Sequence, residues 1–332
     1  METKTKNSSP DFENQQSYSI RVQTTDVGGL SYSENFTINI NNVNENPTDL
    51  SLSNNSIDKN LQPEIVKKIG GSSSDYGHGI ATDSNGNVWA TGSFEGSIDI
   101  DGDGNNDLTS NGTFDSYVAK FDRNGDLVKA LKIGGSSRDY GRGIATDSNG
   151  NVWTTGSFEG NIDIDGDGNN DLTSNGTFDS YVAKFDRNGD LVKALKIGGS
   201  SRDYGRGIAT DSNGNVWATG SFEGSIDIDG DGNNDLTSNG GNDSYVAKFD
   251  RNGDLVKALK IGGSSRDIGY SIATDSNGNA WATGEFQGNI DIDGDGNNDL
   301  TSNGFYDSYV AKFDRNGDLV KALKIGGSSR DV

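Results

Sequence analysis

The sequence predicts an all-β chain assembled from about four copies of one 64-residue, four-stranded unit. Three observations carry this. The nonapeptide Asp99-Ile-Asp-Gly-Asp-Gly-Asn-Asn-Asp107 recurs at Asp163 to Asp171, Asp227 to Asp235 and Asp291 to Asp299, 64 residues apart each time. Asn-Gly pairs, the strongest short-range hairpin signal, punctuate short apolar runs in every copy. Glycine supplies 48 of 332 residues and proline only 3, as expected of a turn-dense β protein.

Met1 to Pro10 is polar, without the apolar run of a signal peptide, and is expected to be disordered. Residues 11–47 differ from the rest. Ser17 to Thr25 alternates in β fashion with Tyr18, Ile20 and Val22 on one face. Asp26-Val-Gly-Gly29 reads as a turn, and Phe36 to Ile40 as a second strand that runs into Asn42-Val-Asn-Glu-Asn-Pro47. Residues 48–63 read as a linker that opens with a strand-like stretch, Pro47 to Asn54.

From Glu64 onward everything is repeat, with units near 72–135, 136–199, 200–263 and 264–327. In the first, Gly79 to Asp83 is a short strand and Ser84-Asn-Gly-Asn87 a hairpin turn. Val88 to Phe94 is the second strand, and the acidic nonapeptide follows it. Ser116 to Asp122 is the third strand, with Tyr117, Ala119 and Phe121 on one face. Arg123-Asn-Gly-Asp126 is a second turn, and Leu127 to Ile133 is the fourth strand, with Leu127, Leu131 and Ile133 on one face. No stretch has a convincing helical period. Four antiparallel strands per unit, joined by tight turns, make the blade of a β-propeller, and a blade needs neighbours to cover its two faces. Ile65 to Gly71 matches a fourth strand, so a closed ring of four blades and an open arc of a larger propeller both satisfy the strand count.

The copies are nearly identical. Residues 140–203 and 204–267 differ only where Thr154, Asn161, Thr177 and Phe178 become Ala218, Ser225, Gly241 and Asn242. Recurrence of a residue is therefore weak grounds for a role.

The formal charge of -22 argues against nucleic acid and anionic membrane surfaces as partners. No run approaches 18 apolar residues, so no membrane insertion is expected. The absence of cysteine excludes disulfides, thiolate metal sites and cysteine nucleophiles.

The nonapeptide carries the chemistry. Four carboxylates in nine residues repel one another, and a hard divalent cation with oxygen ligands offsets that charge. Glycine at position 6 allows the sharp turn around an ion. The four loops supply 16 of the 50 acids, and four bound divalent ions would cancel 8 of the 22 negative charges. Magnesium prefers fewer protein ligands and more water, so calcium is the expected ion, about one per repeat, bound in the ~10⁻⁴ to 10⁻³ M range of extracellular modules. The alternative is a solvated acidic turn that keeps the chain soluble.

A catalytic metal needs an open position beside a general base. The one histidine, His78, occurs in a single copy and reads as a surface residue. Trp89, Trp153, Trp217 and Trp281 recur once per unit and read as packing between blades, with sugar binding as the alternative. Thr113-Phe114, Thr177-Phe178, Gly241-Asn242 and Phe305-Tyr306 sit where the copies differ most and read as a tolerant loop.

Four resemblances add to these readings. Asp75-Tyr-Gly77, Gly79 to Gly92, Asp115 to Lys120 and Ile133-Gly-Gly135 resemble the bacterial β-propeller repeat called SBBP, over residues 64–332, which implies a propeller and no particular activity. The nonapeptide is similar to the Asp-x-Asp-x-Asp-Gly-x-x-Asp calcium loops of integrin alpha chains. That resemblance implies carboxylate ligands from Asp99, Asp101, Asp103 and Asp107 with the carbonyl of Asn105. The equivalents are Asp163, Asp165, Asp167, Asn169 and Asp171, then Asp227, Asp229, Asp231, Asn233 and Asp235, then Asp291, Asp293, Asp295, Asn297 and Asp299. Asp11-Phe-Glu13, Thr25-Asp26 and Asn42 to Pro47 resemble the end of a bacterial cadherin-like domain, which implies calcium candidates at Glu13, Asp26, Asn44 and Glu45, although Asn42 stands where animal linkers carry aspartate. Gly79 to Trp89 also resembles blades of streptogramin lyases.

Together these imply a non-enzymatic, calcium-binding repeat module of a large secreted or cell-surface bacterial protein, acting in adhesion, matrix or contact with a surface protein or glycan. A propeller enzyme and a lectin-like sugar-binding propeller are the two alternatives.

Overall fold

The computed structural model describes residues 17–39, 51–52 and 67–328. All regular structure among them is β-strand. The chain divides into two compact units, Met1–Val66 and Lys67–Val332.

In the first unit, β1 (Ser17–Thr25) pairs antiparallel with β2 (Ser31–Asn39), and β3 (Ser51–Leu52) adds to β2. The Asp26 carboxylate closes the predicted turn by accepting the N–H groups of Gly28 at 2.8 Å and Leu30 at 2.9 Å. Ile20 and Val22 lie exposed, so the alternation marks a face without cover among the described residues. Asp26 is the one described member of the cadherin-like calcium set, and Glu13, Asn44 and Glu45 lie outside the described residues, as do Met1 to Pro10.

In the second unit, β4 (Gly70–Gly71) is followed by β5 (Asp75–Thr82), β6 (Val88–Phe94), the short β7 (Ser97–Asp99) and β8 (Leu108–Thr109), then β9 (Asp115–Phe121) and β10 (Leu127–Ile133). The long strands form an antiparallel sheet in the order β10-β9-β6-β5. The same sheet recurs three times, with first strands Asp139–Thr146, Tyr204–Thr210 and Ile268–Thr274. Successive first strands lie side by side. Thr146 donates its hydroxyl to the Thr82 carbonyl at 2.8 Å, Thr210 to Thr146 at 2.7 Å and Thr274 to Thr210 at 2.7 Å. The arrangement is that of β-propeller repeats.

Local chemistry explains the hairpins. The Gly86 N–H reaches the Asp83 carbonyl at 3.0 Å, with Gly86 at φ 80°, the left-handed conformation glycine adopts freely. Asp83 then locks the loop, one carboxylate oxygen accepting the N–H groups of Asn85 and Asn87. Asp122 does the same for Asn124 and Asp126. The residue before the Asn-Gly pair's turn is thus as much a determinant as the pair.

The core lies between sheets. Trp89, Val118 and Ile133 of the first sheet pack against Ile144, Val152, Phe158 and Tyr181 of the second. Trp153, Val182 and Ile197 meet the third sheet in the same way, and Trp217, Val246 and Ile261 the fourth. Third strands serve both sides: Val118 faces the following sheet, while Tyr117 and Ala119 face the opposite way. The outward face of the last sheet lacks a partner among the described residues, and that of the first is covered only in part. Ile133, Ile197 and Ile261 are fully buried, but their counterparts Ile69 and Ile325 are 42% and 58% exposed.

Packing is close along the second strands. A Cβ on Gly156 would lie 2.0 Å from the Tyr140 carbonyl oxygen and 2.8 Å from the Tyr181 ring. Gly156→Ala is therefore expected to destabilise by about 1–3 kcal/mol or more, because backbone and a fully buried tyrosine must both shift. A urea unfolding midpoint equal to that of the parent would refute this packing.

Candidate metal centre

Each acidic nonapeptide is held in a small hairpin between the second and third strands. In the first copy Ile98 pairs with Leu108 across β7 and β8. The hairpin also reaches the preceding repeat: Gly70 pairs with Asp99 and Gly71 with Ile98. Gly134 bridges to Asp163, Gly198 and Gly199 pair with Asp227 and Ile226, and Gly262 bridges to Asp291. Ile98 and Ile100 are fully buried, as are Ile162 and Ile164, Ile226 and Ile228, and Ile290 and Ile292. The last three loops are therefore anchored in the cores that join successive sheets, and the first in a core within its own repeat.

The loop backbone is organised by its own carboxylates. Asp99 accepts the Gly102 N–H at 2.6 Å on one oxygen and the Gly104 N–H at 2.8 Å on the other. Gly102 and Gly104 have φ of 72° and 94°, which an L side chain adopts only with strain. Asp101 accepts the Asp103 N–H, and Asp107 accepts the Ile100 N–H at 2.7 Å. The same bonds recur in the later loops.

The result is convergence of three carboxylates. Oxygens of Asp99, Asp101 and Asp107 lie within 4.8 Å of one another, as do those of Asp163, Asp165 and Asp171, and those of Asp227, Asp229 and Asp235. In the last loop the converging set is Asp291, Asp293 and Asp295. Position 5 plays another part in the first three loops: Asp103, Asp167 and Asp231 cap their loops, binding both the backbone and the side-chain amide of Asn105, Asn169 and Asn233. Asp295 does this for Asn297 and also joins its cluster, and Asp299 holds the Ile292 N–H as its counterparts hold theirs. Burial raises Asp235 above the usual carboxylate range; the Ile228 N–H opposes this, and the charges of Asp229, Asp227 and Asp231 add to it. An all-oxygen, mutually repelling donor set fits a hard divalent cation.

The other singled-out residues fall elsewhere. His78 is exposed and stacks against Tyr76 at 6.0 Å; partial burial, then the Arg142 charge, lowers its pKa. Trp89, Trp153 and Trp217 are buried between sheets, as expected of packing residues. Of the variable pairs, Thr113, Thr177, Gly241 and Phe305 are exposed, as a tolerant loop requires, whereas the second position is partly or fully buried. Phe178 is buried and lies 6.1 Å from Tyr140 and 5.6 Å from Tyr204, and Phe114 lies 5.7 Å from Tyr140.

Residues 64–93, 130–157 and 194–221 match the family model for SBBP, the beta-propeller repeat. These three stretches are similar to SBBP propeller repeats. Each SBBP match includes a first strand, together with all or most of the second. All four acidic loops lie outside the SBBP matches, so the family says nothing of metal. An uncharacterised WD repeat-containing protein of Acanthamoeba polyphaga mimivirus is 26% identical over 255 residues, covering 67% of this chain and 18% of the relative. The chain thus spans less than a fifth of that relative's length. Among solved structures, a gluconolactonase from Xanthomonas campestris aligns over 77% of this chain and 79% of its own, at 10% identity and a TM-score of 0.32. At that score the likeness informs neither fold nor function.

Proposed function

We propose that each acidic loop binds one calcium ion and that the ions clamp successive SBBP sheets together. The chain is then a non-enzymatic, calcium-braced scaffold of an exported or cell-surface protein, acting in adhesion or matrix contact. The observation that carries this is the convergence of three carboxylate groups within 4.8 Å in every loop, on hairpins whose isoleucines are fully buried, in the last three copies within the cores between sheets. An ion held there removes the repulsion among the carboxylates and ties the hairpin to the preceding repeat. Extracellular calcium is abundant enough to fill weak sites, which suits an exported location.

Ligands that bind only the folded state raise its unfolding midpoint. Calcium at about ten times Kd is expected to add ~1.4 kcal/mol per loop, with a much smaller effect of magnesium. Changing Asp101, Asp165, Asp229 and Asp293 to Asn is expected to abolish the calcium-specific rise. Equal midpoints with and without millimolar calcium would reduce the loops to solvated turns.

A further inference from the structure

The chain carries -22 formal charge, yet one of its cavities is strongly basic. It has a volume of about 510 Å³ and opens where the first strands of the second, third and fourth sheets run side by side. Arg138, Arg142, Arg202, Arg206 and Arg266 line it, against one acid, Glu223.

Two of these arginines already have partners: Arg138 meets Glu159 at 3.1 Å and Arg266 meets Glu285 at 2.9 Å. Arg142, Arg202 and Arg206 form no ion pair among the described residues. Arg142 and Arg206 are half-buried, and the Nε atom of each is buried without a hydrogen-bond partner. Their guanidinium groups lie over rings instead. Arg142 sits 5.5 Å from Tyr140, and Arg206 sits 5.6 Å from Tyr204 and 5.4 Å from Tyr270. Aromatic faces orient a cation but do not neutralise it. Burial, and then the charges of Arg142 and Arg266, depress the Arg206 pKa.

A planar fork held on an aromatic face, with donors unspent, is ready to engage oxyanions in bidentate fashion. A volume of this size falls in the range of small-ligand sites. The negative field of the rest of the molecule disfavours long polyanions, so the ligand is compact. We infer that this cavity binds a small organic polyanion, whose carboxylate, sulfate or phosphate groups engage Arg142 and Arg206 together. The inference does not depend on the calcium reading.

The test is calorimetric titration of the whole chain with trigalacturonate, a sulfated disaccharide and fructose 1,6-bisphosphate, with maltotriose as the neutral control. At least one anion is expected to bind about tenfold or more tightly than maltotriose and to weaken as salt rises from about 50 to about 500 mM. Which anion binds identifies the source as acidic sugar or phosphorylated metabolite. The double variant Arg142→Gln/Arg206→Gln is expected to lose that binding, Arg142→Lys to lose part of it, and Arg123→Gln, on an exposed hairpin turn, to keep it. Without ligand, the double variant is expected to unfold at the same midpoint or higher, because it removes two repelling cations. A preference for no anion, or binding retained by the double variant, overturns the proposal. A lowered unliganded midpoint would overturn it too, since it would make these arginines structural braces.

Discussion

Replacing Trp217 by alanine is expected to lower the free energy of unfolding by about 3–5 kcal/mol, and the same change at Trp281 by about 1 kcal/mol or less. The two tryptophans share the local sequence Trp-Ala-Thr-Gly and the same place in their sheets. Each carries a lysine ammonium over its ring, Lys248 at 5.3 Å and Lys312 at 5.1 Å. They differ in what lies beyond. Trp217 is 1% exposed and packs in one cluster with Ile272, Ala280, Phe286 and Ile292 of the following sheet, whereas Trp281 is 37% exposed. Truncation at Trp217 leaves a cavity in a dense core, while truncation at Trp281 mainly removes partly hydrated surface. Urea unfolding of the two variants measures the difference. Equal costs would show that the outer face of the last sheet is covered in solution.

In the presence of a chelator, the protein is expected to be markedly more stable at pH 5 than at pH 8, the reverse of the usual behaviour of aspartates. Asp139, Asp203 and Asp267 are fully buried, and burial raises each to about 7. The N–H groups of Gly135 and Glu159 oppose the rise at Asp139, while the charges of Asp115 and Glu159 add to it. Burial likewise raises Asp243 to about 6. In the unfolded chain an aspartate releases its proton near pH 4. Below that, both states are protonated and the full contribution is present. Between about 4 and 7 the unfolded chain ionises while the folded one holds its protons, so stability falls as pH rises. The loss is on the order of a few kcal/mol per carboxyl. Carboxylates held below their usual range act oppositely but at lower pH. The Asp126 and Asp318 N–H groups hold down Asp122 and Asp314, a contribution lost only as pH falls below about 4. Asp203→Asn is expected to destabilise at every pH, since an amide cannot accept the N–H groups of both Gly199 and Glu223, but to flatten the slope between pH 5 and 8. A denaturant midpoint that stays level or climbs from pH 5 to 8 would contradict it.

Local chemistry, legible within ten residues, determined the strands, the turns and the shape of the acidic loops. Asn-Gly and a preceding aspartate close a hairpin wherever they stand, and a nonapeptide with glycine at positions 4 and 6 curls its carboxylates inward in all four copies. The 64-residue period likewise announced sheets that must pack on one another. Tertiary structure decided everything that depends on a neighbour. Asp139, in a polar Ser-Ser-Arg-Asp stretch, is fully buried and accepts the N–H groups of Gly135 and Glu159. Trp281 reads the same as Trp217 and lacks its cover. Arg142 and Arg206, 64 residues apart, share a cavity because successive first strands run side by side. Burial and proximity belong to the pair of surfaces that meet, so near-identical repeats acquire different chemistry from their places in the stack.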